Sequence, residues 1–430
     1  MSKLTVRPVG PLRLRTRVPG DKSISHRALL LSALADGVSE ISGFLPGGDC
    51  LATLDCLRKL GIVVEMHGPT TLTVHGHGHR GLQAPAAALD CVRSGTTMRL
   101  LAGILAGQAF VSRLVGDPQL LRRPMRRVVD PLRQMGAEIM DTDGHAPLTI
   151  QGRRLHGCQH VLSIPSAQVK SALLLAGLYA DGPTTVHQPG PARDHTERML
   201  AAMGAAVETT GLSVTLFPSP SLRPLSLDVP GDLSSAAFPL VAAALIPDSV
   251  LTTGYVGVNP TRTGLLDTLR VMGGDVQVVN RKDVGNEPVA DVTVRGSALA
   301  GVEVCGDIVV RMIDELPVFA VAATQAQGTT VVRDAAELRI KESDRIASLV
   351  SELRLLGASI EPLADGFVVQ GPTPLHAAAV DSHGDHRLAM AWAVAGLIAD
   401  GPVVIENAEW IPDSFPGFVE LLRSIGAVCD

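Results

Sequence analysis

Two carboxylates stand among cations in the last third of the chain. Asp314 lies in M-I-D-E, and Glu342 lies in K-E-S-D-R between Lys341 and Arg345. A group that moves protons needs reach first and a suitable pKa second, so both are candidates for general acid–base work. Arg345, and Arg387 in D-H-R, each carry a planar fork that grips a carboxylate or phosphate through two bonds, which lysine cannot do. Near the start of the chain, P-G-D-K-S-I-S-H-R sets Lys22, Ser23 and Arg27 within little more than one helical turn. Ser94-Gly95-Thr96 and Ser166-Ala167-Gln168 are small polar openings of the same kind. Taken alone, K-E-S-D-R reads as a surface ion-pair helix, Lys22 to Arg27 as a capped helix start with solvated bases, and Gly95 as a turn glycine. Their common setting changes the reading.

That setting is a polar, Gly-rich turn running into a helix apolar on every face. VPGDKSISHRALLLSALADG has it first, and related stretches begin at Cys91, Ile164, Val229, Asp307 and Asp381. A helix apolar all round belongs in a core, and its N–H groups and dipole make its N-terminus a latent anion site. Each stretch leads to an amphipathic helix closed by Gly, as in LRKLG, LRQMG and LRLLG, and in the first five copies a strand pair follows. The unit is strand, helix, strand, helix, two strands, recurring about every 70 residues. The sixth copy lacks closing strands, while KLTVRPVG at the start is an orphan strand that completes it. The expected organisation is therefore a discontinuous first domain of residues 1–18 plus 230–430 and a second of 19–229. The crossings fall at V-P-G motifs, with the active site in the cleft between two similar α/β domains of three βαβαββ repeats each. A single elongated solenoid is disfavoured, because polar helix starts make poor stacking surfaces.

The chain has 430 residues, 46% of them hydrophobic, which is ample for large cores. A net charge of -6 and 3% aromatic residues argue against nucleic-acid binding. The six cysteines show no C-x-x-C pair and no metal-ligand spacing, so reduced thiols in a cytoplasmic enzyme are expected, with no metal. The N-terminus is not a signal peptide, and the longest apolar run, Leu388 to Ala399, is shorter than the roughly 20 residues a bilayer demands. Small-molecule partners, no nucleic acid and no membrane are the expectation.

At PGDKSISHRALL, SGTTMRLLAG, LRRPM, SAQVKSALLLAG, MIDELP, LRIKESDRI, GDHRLAMA and SFPGF the sequence resembles the 5-enolpyruvylshikimate-3-phosphate synthase family of enolpyruvyl transferases, in order and over nearly the whole chain. The resemblance implies two inside-out α/β domains with buried helices and outer sheets. It implies a monomer that needs no cofactor and transfers the enolpyruvyl group of phosphoenolpyruvate to the 5-hydroxyl of shikimate 3-phosphate, releasing phosphate. By resemblance Ser23 and Arg27 hold the shikimate carboxylate. Ser166, the Ala167 backbone and Arg193 hold its phosphate, with Lys341 also on this substrate. Asp314 meets the shikimate hydroxyls, and Gln168 lies between the substrates. Gly95, Arg123, Arg345 and Arg387 bind phosphoenolpyruvate; Lys22 reaches it and the reacting hydroxyl, and Glu342 lies near the carbon that is protonated. The two substrates bring about five to six negative charges, against an expected excess of about five positive charges from these motifs. Three positions depart from the family pattern: Arg93, Leu100, and Asp413, where an acidic residue would repel phosphate. They bear on tolerance to glyphosate, the family's phosphoenolpyruvate-mimicking inhibitor. The alternatives are the sister transferase acting on UDP-N-acetylglucosamine, which depends on a loop cysteine absent here between Cys91 and Cys158, and a non-catalytic anion-binding protein on the same scaffold.

Overall fold

Each of the six apolar stretches supplies a core helix in the computed structural model, which describes residues 2–430: Lys22–Ala33, Gly95–Ala106, Ala167–Gly177, Leu233–Leu245, Leu316–Gln325 and His386–Ile398. Their side chains are buried on nearly every face. Small residues make this possible: a Cβ on Gly103 would run into the Ala172 backbone, so its absence lets Gly95–Ala106 and Ala167–Gly177 approach closely. Five of the six begin with a side-chain cap, from Asp21, Ser94, Ser166, Asp232 and Asp385, each worth about 1 kcal/mol. The remaining stretch is not one helix. Asp307–Arg311 forms a short helix, the chain breaks, and Leu316–Gln325 starts with Pro317 in its first turn. Proline has no N–H for a helix interior, which forces the break before it and leaves Asp314 in an irregular turn.

The amphipathic helices behave as their pattern predicts. Gly48–Lys59, Arg126–Gln134, His195–Ala202, Gly264–Val271, Arg345–Leu355 and Phe418–Ser424 are each followed by a glycine at positive φ, such as Gly136 at 101° and Gly357 at 93°. Half-buried strands then alternate inward and outward, most regularly in His145–Gln151.

The chain divides into two compact units, Met1–Pro19 with Pro230–Lys282 and Pro288–Asp430, and Gly20–Val229 with Asp283–Glu287. Each has its own hydrophobic core and three small sheets. Five of the six sheets share one four-stranded order, as in Asp36–Ser42 lying between Ser226–Asp228 and Leu72–His77, with Val63–Met66 beyond the latter; the sixth has three strands. Two features were not legible in the repeats. First, the opening strands are exchanged: Arg13–Thr16 pairs in parallel with Val250–Gly257, and Ser226–Asp228 pairs in parallel with Asp36–Ser42. Each strand thus joins the sheet of the repeat that does not follow it in sequence. Second, Asp283–Glu287 belongs to the middle unit although the chain on either side of it does not. The orphan strand Lys3–Val6 pairs antiparallel with Val403–Glu406, and Val6 bridges Cys429. No helix among the described residues is long and apolar enough to cross a membrane.

Candidate active site

In the unit Gly20–Val229 three core helices start close to one another, and their first residues are tied by side chains. Lys22 forms an ion pair with Asp49, from the start of Gly48–Lys59. His26, one turn further on, bonds Thr53 through Nδ1 at 2.7 Å; Thr53 and Thr97 are 2.7 Å apart, and Thr97 donates to Ser94 at 2.8 Å. This buried spine registers Lys22–Ala33 against Gly95–Ala106. Burial pulls the His26 pKa down to about 3, so the ring is neutral.

Arg27 is 3% exposed and all three of its donor positions are engaged. Its Nε donates to Thr196 Oγ1 at 2.7 Å, Nη1 to the Ser23 carbonyl at 2.9 Å and Nη2 to Ser171 Oγ at 2.8 Å. Burial lowers its pKa to about 10, and nearby Glu197 opposes that shift; the group stays charged at neutral pH. Gln168 joins two helix starts, accepting from Arg99 Nη1 at 2.6 Å and donating to Thr96 at 2.9 Å. A Cβ on Gly95 would lie 2.9 Å from Arg123 Nη1 and 2.9 Å from Arg99 Nη1, so Gly95, Arg99 and Arg123 form one patch of backbone and two guanidinium groups. Ser166 caps its helix by accepting from the Val169 N–H at 3.4 Å, which places Ala167 at the first helical position. Arg193 lies two residues before the helix His195–Ala202 and is part-buried.

In the other unit the carboxylates and cations interlock. Asp314 Oδ1 is 3.7 Å from Lys341 Nζ and 3.5 Å from Arg345 Nη1; its Oδ2 is 3.9 Å from Arg387 Nη2. Arg387 also donates to the Asp314 carbonyl at 3.2 Å. Arg345, 1% exposed, donates to Glu342 at 2.8 Å and to Asp385 at 2.7 Å through Nε. Burial alone would lower the Arg345 pKa, but Asp385 and Glu342 raise it. K-E-S-D is not the surface helix that it resembles in isolation: a 3-10 turn ends at Ile340, Asp344 caps the next helix, and Arg345 is its first residue. Asp314 and Glu342 keep 14% and 19% of their side chains accessible, so both are open to a ligand.

Sequence reasoning named neither Asp49, Arg99 nor Asp385. Arg99 had a signal, lying four residues after Gly95 and so on the same helix face. Asp385 had one as well, as the cap of D-H-R. Asp49 had none, because only folding brings its helix to Lys22. These residues correct the expected charge excess: Asp49 and Asp385 were left out of it, Arg99 adds to it, and the Asp314 cluster is close to neutral. Of the departures, Leu100 is fully buried, Arg93 donates to Gln119 at 2.9 and 2.6 Å, and Asp413 ends a 3-10 turn. A surface concavity of about 520 Å³ lined by Arg15, Arg17, Tyr255 and Lys282 contains none of the motif residues. Among the described residues no group of three or more His, Cys, Asp or Glu is placed to hold a metal.

Buried helices that present polar starts beneath small outer sheets define a class of fold. NikO of Streptomyces tendae, an enolpyruvyl transferase, shares the fold at a TM-score of 0.83 with 21% identity, covering 100% of this chain and 98% of that one. Within that class, the family described as EPSP synthase (3-phosphoshikimate 1-carboxyvinyltransferase) matches residues 6–422, and the chain belongs to it. The EPSP synthase of Acinetobacter baumannii superposes at a TM-score of 0.90 with 42% identity, covering 100% of this chain and 99% of its own. The 3-phosphoshikimate 1-carboxyvinyltransferases of Desulforamulus reducens and Herpetosiphon aurantiacus are 50% and 53% identical over 427 and 422 residues. These alignments cover 98% and 97% of this chain, and 99% and 97% of the relatives.

Proposed function

We infer that this enzyme transfers the enolpyruvyl group of phosphoenolpyruvate to the 5-hydroxyl of shikimate 3-phosphate, and that its two clusters divide the work. Family membership supports the reaction, and the cluster around Asp314 and Glu342 carries the assignment of roles: two partly accessible carboxylates are held among Lys341, Arg345 and Arg387. Adding the 5-hydroxyl across the enol double bond requires a proton to leave the hydroxyl and another to reach the methylene carbon; the adduct then expels inorganic phosphate as a proton leaves that same carbon, which restores the double bond. Asp314 orients the shikimate hydroxyls, Glu342 serves the methylene carbon, and Lys22 reaches the reacting hydroxyl and phosphoenolpyruvate.

Binding follows the cations. Ser23 and Arg27 take the shikimate carboxylate, and Ser166, Ala167 and Arg193 take its phosphate, with Lys341. Gly95, Arg123, Arg345 and Arg387 hold phosphoenolpyruvate, and Gln168 stands between the substrates. No chemistry in this scheme calls for a cofactor, and we read the enzyme as a cytoplasmic monomer.

Phosphate release, assayed with each substrate alone, with both, and with UDP-N-acetylglucosamine in place of shikimate 3-phosphate, tests the reading. Release is expected only with phosphoenolpyruvate and shikimate 3-phosphate together. Release with the nucleotide sugar, or with neither acceptor, overturns it.

A further inference from the structure

Residues 195 to 198 form the first turn of a helix, and the side chain of each is tied to another part of the chain. Thr196 accepts from Arg27 and donates to Ser171 Oγ at 2.7 Å, and Glu197 pairs with the buried Lys170 at 2.5 Å. The other two face the excursion Asp283–Glu287. His195 Nδ1 and Glu287 Oε1 are 2.7 Å apart, with each side chain 2% exposed. Arg198 Nη1 donates to the Asn286 carbonyl at 2.7 Å, and Asn286 Nδ2 donates back to the Arg198 carbonyl at 3.3 Å. Positions 195 and 198 share one helix face, so the excursion grips one side of the same turn whose residues 196 and 197 meet Arg27 and Lys170. Gly285 and Asn286 hold φ of 57° and 65°, the left-handed pair that a two-residue hairpin turn requires, which presents Glu287 at a fixed position. A carboxylate this deeply buried is stable only when it is well bonded, and His195 Nε2 has no partner of its own, so Nδ1 is the ring's anchor.

We propose that Glu287 is a positioning residue for shikimate 3-phosphate: through His195 it fixes the first turn of His195–Ala202, and with it the acceptor of Arg27 and the approach of Arg193. The inference rests on the roles given above to Arg27 and Arg193. Phosphoenolpyruvate should be largely indifferent to it, because Gly95, Arg99 and Arg123 are registered through Gln168 and Thr96 instead.

The test compares Glu287→Ala with Glu287→Gln, which keeps an acceptor, and His195→Ala with His195→Asn, whose amide N–H takes the place of Nδ1–H. Glu287→Ala and His195→Ala should raise KM for shikimate 3-phosphate about tenfold, with KM for phosphoenolpyruvate and kcat within about twofold, and the conservative variants should recover most of the loss. Amide hydrogen exchange without substrate provides a readout independent of the substrate assignments. Glu287→Ala should speed exchange across 195–202 about tenfold and leave 386–398 unchanged. Unchanged exchange overturns the proposal, as does faster exchange with unchanged KM, or equal rises in both KM values. If Glu287→Ala does not fold, Glu287→Asp, one methylene shorter, carries the same test. Wild-type turnover of the substrate pair decides the functional reading separately.

Discussion

The two clusters hold their most deeply buried arginines, Arg27 and Arg345, by different means. Around Lys22–Ala33, the hydrogen bonds of Arg27 go to two hydroxyls and a carbonyl rather than to a carboxylate, while Lys22 is paired with Asp49. Around Asp314 the cations are matched by carboxylates, and Arg345 touches three of them. The first arrangement suits binding of anions. The second holds two partly accessible carboxylates at fixed positions, and reach is the first requirement for acid–base work.

The largest effect expected from breaking this contrast is on stability. Arg345→Met leaves the fully buried Asp385 without its cation and should cost about 3–5 kcal/mol. Arg27→Met frees only neutral acceptors and should cost about 1–3 kcal/mol. Urea denaturation of both variants measures the gap, and equal losses would erase the distinction. Next comes catalysis. Glu342→Gln and Asp314→Asn should lower turnover by about a hundredfold or more while shikimate 3-phosphate still binds. Arg99→Lys, on the binding side, should act mainly on KM for phosphoenolpyruvate. Steady-state kinetics separate the two, and near-wild-type turnover in both carboxylate variants removes them from the mechanism.

The neutral spine beneath the first cluster predicts a pH effect. Unfolded His26 titrates near 6.5, whereas the folded residue titrates near 3 because it is buried. Between those values only the unfolded chain takes up the proton, so stability falls with pH across this window by about 1.4 kcal/mol per unit from this residue. His26→Asn should flatten the acid limb of a stability–pH curve; parallel limbs in variant and wild type would refute a neutral buried ring. The smallest effect is at Gly95. A methyl there presses on Arg99 and Arg123, and the inhibition constant for glyphosate should rise by a few-fold larger factor than KM for phosphoenolpyruvate. Equal rises would mean that Gly95 does not distinguish inhibitor from substrate.

Much of this was legible in the sequence because the repeat states it six times. Helix type, core placement and the closing glycines follow from local pattern, and Lys22, Gly95 and Gln168 lie at helix starts as that pattern predicts. What escaped is non-local. Asp49 meets Lys22 only after two helices dock, Glu287 reaches His195 across a long sequence separation, and no period in the chain distinguishes Arg13–Thr16 from a strand of the repeat that follows it. The break before Pro317 could have been read, since the proline itself announces it.

The exchange of strands has a consequence for biosynthesis. Lys3–Val6 leaves the ribosome well before its partner Val403–Glu406, which is made about 400 residues later, and at about 5–20 residues per second that is a wait of about 20–80 s. The middle unit waits too, because its sheet takes in Ser226–Asp228 and its helix clamp takes in Glu287. A nascent chain therefore carries an unmatched strand edge through most of translation, a period in which Lys3 and the exposed Arg7 act as charged gatekeepers against pairing with a neighbour. A permuted gene that begins within residues 296–302, in the loop before Glu303–Val304, would bring Lys3–Val6 to the ribosome exit soon after Val403–Glu406 and shorten that exposure.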